Sequence, residues 1–155
     1  EMYICNDVSI KSKNDKYNHL VVIAKNEKGR INLNKLVSES CKHKYYGKPR
    51  IDFNMLQNHQ EGLIVLSACM AGELQRALLN DDYELAKNIA LKYKKVFGHD
   101  YYLEFQSHTE PTQQTLNRKI VDMANELDIG YVVTTDAHYL NEGEQRYHDV
   151  CVRIG

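Results

Sequence analysis

Leu63-Ile64-Val65-Leu66-Ser67-Ala68-Cys69-Met70-Ala71-Gly72-Glu73 decides the fold class of this chain. Four consecutive aliphatic residues, introduced by Gly62, predict a short strand buried on both faces. A turn of small residues carrying a cysteine follows, and helical spacing starts at Gly72 and runs to Leu79. Leu20 to Ala24 is a second apolar strand, followed by a helix over 27–40 with Asn26 as its N-cap. The segment 41–50 reads as a loop, and a short helix is expected over 52–58. A helix over 82–97 has Asp81 and Glu84 at capping-box spacing, with Leu85, Ile89 and Tyr93 as its stripe. Strand 101–105, helix 111–127 with Pro111 in its first turn, strand 131–135 and a helical segment over 142–153 complete the alternation. Strands joined by helical crossovers imply an α/β fold built on a largely parallel sheet or barrel. No glycine-rich phosphate loop follows any strand, which weakens a nucleotide-binding reading.

The composition narrows the function. Of 155 residues, 43% are hydrophobic and 26% charged, enough apolar material for a packed core. Lys plus Arg number 20 against 21 acidic residues, a formal net charge of −1, so the chain is not a module held to nucleic acid by bulk charge. No apolar run approaches the roughly 20 residues of a membrane helix. Cys5, Cys41, Cys69 and Cys151 lie far apart, which suits reduced thiols and a cytoplasmic protein rather than a disulfide scaffold. The chain opens at Glu1-Met2-Tyr3 inside an expected strand, which reads as one piece of a longer polypeptide.

In parallel α/β folds, functional groups gather beyond the C-terminal ends of strands. There the sequence places Cys69 and Glu73, then His108, then Asp136 and His138, the side-chain types that bind transition metals. On extended backbone Asp136 and His138 project to the same side, so the pair reads either as two ligands or as a hydrogen-bonded turn. Cys69 alone also reads as a small buried hydrophobe. His19 begins its strand, and reaches the same mouth only if that strand runs antiparallel to the preceding one, through a polar tip at 11–16. From the residues alone, Glu1 and His19 read as edge positions. Lys42 to Arg50 mixes cations with tyrosines, a pattern of nucleic-acid backbone contact or of a solvated loop.

Taken together, several segments resemble one family. They are His19 to Gly29, Tyr46-Gly-Lys-Pro-Arg-Ile-Asp52, Glu61 to Glu73, Tyr102-Leu-Glu-Phe-Gln-Ser-His108 and Val133-Thr-Thr-Asp-Ala-His-Tyr139. In order and spacing they are similar to the PHP (polymerase and histidinol phosphatase) domain of bacterial replicative DNA polymerase III alpha subunits. The resemblance covers essentially the whole chain. It implies part of a distorted (β/α)7 barrel with mostly parallel strands and a divalent metal cluster of zinc, manganese or magnesium. It also implies metal ligands at Glu1, His19, Cys69, Asp136 and His138, with Asp136 and His138 catalytic and His108 and Glu73 in supporting or substrate-side roles. Further family ligands, including a His-x-His motif, have no counterpart here, so the resemblance implies an incomplete cluster and a fragment inactive alone. The implied activity of the complete domain is 3′–5′ exonuclease proofreading, with DNA and other replisome subunits as partners and no membrane. An inactive structural module supporting the polymerase, and a different metal-dependent α/β hydrolase, are the alternatives.

Overall fold

The computed structural model describes residues 1–13 and 17–154. Among them, six strands form one open mixed sheet in the order β3-β1-β2-β4-β5-β6. The strands are β1 Met2–Ile4, β2 Asn18–Ala24, β3 Arg50–Ile51, β4 Leu63–Leu66, β5 Tyr101–Gln106 and β6 Gly130–Thr134. Pairs β4–β5, β5–β6 and β1–β3 are parallel. β2 runs antiparallel to both β1 and β4, the direction that brings His19 to the mouth. Asn14, Asp15 and Lys16 of the predicted polar tip lie outside the described residues.

The helices are α1 Glu27–Ser40, α2 Phe53–Asn58, α3 Glu73–Leu79, α4 Tyr83–Phe97, α5 Pro111–Leu127 and α6 Gln145–Ile154. The starts of α1, α2, α4 and α5 are fixed by side chains that satisfy first-turn amides. Asn26 accepts from Gly29, Asp52 from Met55 and Glu110 from Gln113. The cap of α4 is Asp82, which accepts from Leu85 at 3.0 Å, one residue later than the predicted Asp81. Asp81 instead takes a left-handed backbone (φ 57°) and pairs with Lys119.

Strand pleating assigns the two faces of the sheet. Leu20, Val22, Leu63, Val65, Tyr101 and Leu103 point to one face and join a single core with Leu36, Leu74, Ile89, Leu116 and Ile120 from the helices. Register puts the alternate residues on the other face: Tyr3 opposite His19, Val21 opposite Leu66, Glu104 opposite Val132 and Gln106 opposite Thr134. Three sequence expectations need correction. β2 is buried on one face only, with Ile23 exposed. Leu85 is exposed, and the buried stripe of α4 is Ala86, Ile89, Ala90, Tyr93 and Phe97. The segment 41–50 is not all loop: Cys41–His43 is a 3-10 turn and Arg50 begins β3.

Candidate metal centre

Two neighbouring strands and one loop converge at the mouth. Glu1 precedes β1, and Tyr3 pairs with His19 across to β2. The backbone N–H of His19 donates to the Ala71 carbonyl at 3.0 Å, which ties the start of β2 to the Cys69 loop. As a result the ligand atoms of Glu1, His19 and Cys69 all lie within 4.8 Å of one another. Nδ1 of His19 contacts the Glu1 carboxylate, and the Cys69 Sγ lies 3.5 Å from the same nitrogen.

The Cys69 loop is held under strain by a buried network. Ala68 is buried and adopts φ 68°, a left-handed conformation that costs a residue with a Cβ about 1–3 kcal/mol. The Gln75 amide holds the turn from below, donating to Ser67 Oγ at 2.6 Å and to the Ala68 carbonyl at 2.8 Å. Gly72 fits because a Cβ there would lie 2.2 Å from the Ser67 carbonyl oxygen. Ser67 Oγ also accepts from the Glu104 backbone N–H at 2.8 Å, extending the β4–β5 ladder beyond the end of β4. Ser67→Ala strands that buried amide and should cost about 2–3 kcal/mol, read as a lowered midpoint in urea unfolding.

Burial pushes the Cys69 thiol above its ordinary value, and the carboxylates of Asp136 and Glu1 push it further, against opposing backbone hydrogen bonds. A cation among these groups reverses that balance, since a coordinating thiol is deprotonated. The donor set of one thiol, one imidazole and one carboxylate suits a first-row transition metal with bonds of about 2.0–2.3 Å. Glu104 Oε2, buried and without a hydrogen-bond partner among the described residues, lies on the same sheet face. The other Glu104 oxygen accepts from Thr134 Oγ1 at 2.5 Å. These oxygens make the face polar where the three candidate ligands gather.

Asp136 follows β6 and adopts φ 49°. The extended backbone assumed for Asp136-x-His138 is therefore broken by a left-handed residue. The Asp136 carboxylate raises the Cys69 thiol's pKa, but neither Asp136 nor His138 is among the ligand atoms that gather within 4.8 Å at Glu1, His19 and Cys69. Nδ1 of His138 instead meets the Asp136 carbonyl oxygen at 2.7 Å, and its ring lies edge-on to His148 of α6 at 5.4 Å. His108 is exposed in the loop between β5 and α5. Glu73 opens α3 and pairs with Lys92 of α4 at 3.4 Å, while the Tyr93 hydroxyl donates to it at 3.4 Å. Sequence reading missed the Ser67–Gln75–Glu104–Thr134 network. Its one signal is a carboxylate, Glu104, between Leu103 and Phe105 in the middle of β5.

A family model described as "PHP domain" matches residues 1–108. Among curated proteins, a DNA polymerase III subunit alpha from Aquifex aeolicus is 40% identical over 141 residues, covering 90% of this chain and 12% of that protein. The protein of the same description from Borreliella burgdorferi is 42% identical over 137 residues, covering 88% of this chain and 12% of its own length. One from Helicobacter pylori is 33% identical over 168 residues, spanning all of this chain and 14% of the relative. The chain therefore corresponds to roughly an eighth of the curated relatives it matches.

Proposed function

The chain belongs to the PHP domain family, and from that membership we propose that it serves a bacterial replicative DNA polymerase as a metal-dependent phosphoesterase removing 3′-terminal nucleotides. The convergence of Glu1, His19 and Cys69 carries this reading. These three residues would hold a divalent metal, with Asp136 adding a carboxylate from the end of β6 and His138 a further imidazole. A metal there supplies an acidified water and neutralises charge on the scissile phosphate. The chain's own residues do the rest. His19 is oriented by Glu1 on one side and by the Ala71 carbonyl through its own backbone. Cys69 is fixed by the Gln75 network, so the sulfur is positioned before any ligand arrives. His108, exposed in the loop between β5 and α5, would meet the substrate side.

No helix among the described residues is long and apolar enough to cross a membrane. A cytoplasmic replisome is the setting we propose, with DNA and other replication subunits as partners. The test uses the longer native polypeptide. Purified protein should contain zinc or manganese and trim the 3′ end of a single-stranded primer. Chelation should stop trimming and metal re-addition should restore it. Metal-free protein that trims nothing under any metal would leave the domain as a structural support for the polymerase.

A further inference from the structure

We propose that two lysine-bearing loops, joined by the buried Arg50, form a basic and aromatic shelf that seats a single-stranded polynucleotide leading to Glu1, His19 and Cys69. The proposal rests on the phosphoesterase reading and names where its substrate lies. The net charge of −1 conceals a strong local segregation. Between Glu39 and Asp52 the chain carries Lys42, Lys44, Lys48 and Arg50 and no acidic residue. Arg50 is fully buried. Its guanidinium donates to the His43 carbonyl within its own loop and to the Val8 and Ile10 carbonyls of the loop after β1. Those bonds hold the backbone that leads into Lys11 to the same guanidinium as the Lys42–Lys48 segment. All four of these loop lysines are exposed.

The shelf is preorganised. Tyr45 and Lys48 exchange both backbone hydrogen bonds, at 3.0 and 3.1 Å, around Tyr46 and Gly47, whose φ values are 49° and 75°. This is the tight hairpin turn with two left-handed residues, and it holds its tip rigidly. Lys48 Nζ lies 5.3 Å from the centre of the Tyr3 ring. Tyr3 in turn meets Tyr17 at 4.7 Å and His19 at 5.4 Å, and Tyr17 stacks on His19 at 6.3 Å. Arg76 fixes Tyr17 by donating to its carbonyl at 3.0 Å. Cation and rings thus run in sheet order from β3 across β1 to the metal ligand on β2. Two strand spacings are about 10 Å, the length of about three stacked nucleotides at roughly 3.4 Å each. Lysine for phosphate and tyrosine for base is the chemistry of sequence-tolerant single-strand binding.

Photo-crosslinking of the full-length protein with oligo-dT tests this. The oligonucleotide carries 5-iododeoxyuridine at each of its last four positions in turn, and chelator prevents trimming. Crosslinks within three nucleotides of the 3′ end should map to peptides containing Tyr17 or Tyr46. Lys48→Glu should lower that yield at least about fivefold and reduce the salt slope by about one. Lys48→Arg should retain the yield, and Lys94→Glu, across the molecule on α4, should leave it unchanged. Crosslinks confined to other peptides, or equal yields in Lys48→Glu, overturn the shelf. Crosslinks at Tyr17 without metal-dependent trimming support the shelf and sink the phosphoesterase reading. Trimming with an unaltered KM in Lys48→Glu does the reverse.

Discussion

Gly29→Ala is expected to cost about 4 kcal/mol, a large share of the roughly 5–15 kcal/mol that holds a domain together. Helix propensity alone predicts the opposite sign. Gly29 sits in the first turn of α1, where exchanging glycine for alanine stabilises a helix by about 1 kcal/mol. The packing reverses that gain. A Cβ on Gly29 would stand 1.8 Å from the Gly62 carbonyl oxygen and 2.6 Å from its carbon, so backbone must move. That carbonyl is engaged, accepting from Lys25 at 2.9 Å, and the neighbouring Glu61 carbonyl accepts from Asn32 at 2.9 Å. Gly62 itself holds φ 77° and cannot shift freely. Overpacking costs about 1–3 kcal/mol, and each lost buried hydrogen bond adds about 1–3 kcal/mol. Thermal unfolding of the two proteins decides the matter. A stabilised Gly29→Ala variant would show that α1 and the β4 turn do not approach so closely.

Much of this architecture was legible because local signals agreed with one another. The apolar runs Leu63–Leu66 and Leu20–Ala24 became strands, Asn26 capped α1, and Pro111 opened α5. β3 escaped because two residues cannot display a period, and its place beside β1 is fixed by chain-distant pairing. The α4 cap moved by one residue because Asp81 was drawn into a left-handed turn toward Lys119. At the site, position just beyond a strand end pointed to Cys69 and Asp136, whereas Glu1 and His19 rested on family resemblance. Their meeting depends on β2 running antiparallel and joining Ala71, 52 residues later in the chain. No spacing rule encodes such a contact. The same holds for Arg50, whose motif looked like part of a charged loop and which proves to be a fully buried staple.

Cys69→Ala is expected to empty the centre of metal and lower 3′ trimming by more than about 100-fold, beyond what loss of a merely supporting residue costs. The thiol is the donor supplied by the β4–α3 loop, so its removal leaves Glu1 and His19 on adjacent strands without the sulfur that closes their group. The strained turn at Ala68 and the Gln75 hydrogen bonds do not involve the sulfur, so the fold should survive the substitution. His19→Ala should reach the same floor. The double variant should fall no further, because ligands of one ion act as a unit and their losses do not add. Cys69→His, which restores a transition-metal donor, should recover part of both metal content and rate. Metal analysis and primer trimming on the same preparations separate the outcomes. Lost metal with unchanged trimming would move the chemistry to another site. Retained metal with unchanged trimming would show that the close approach of Glu1, His19 and Cys69 is a packing arrangement of the mouth.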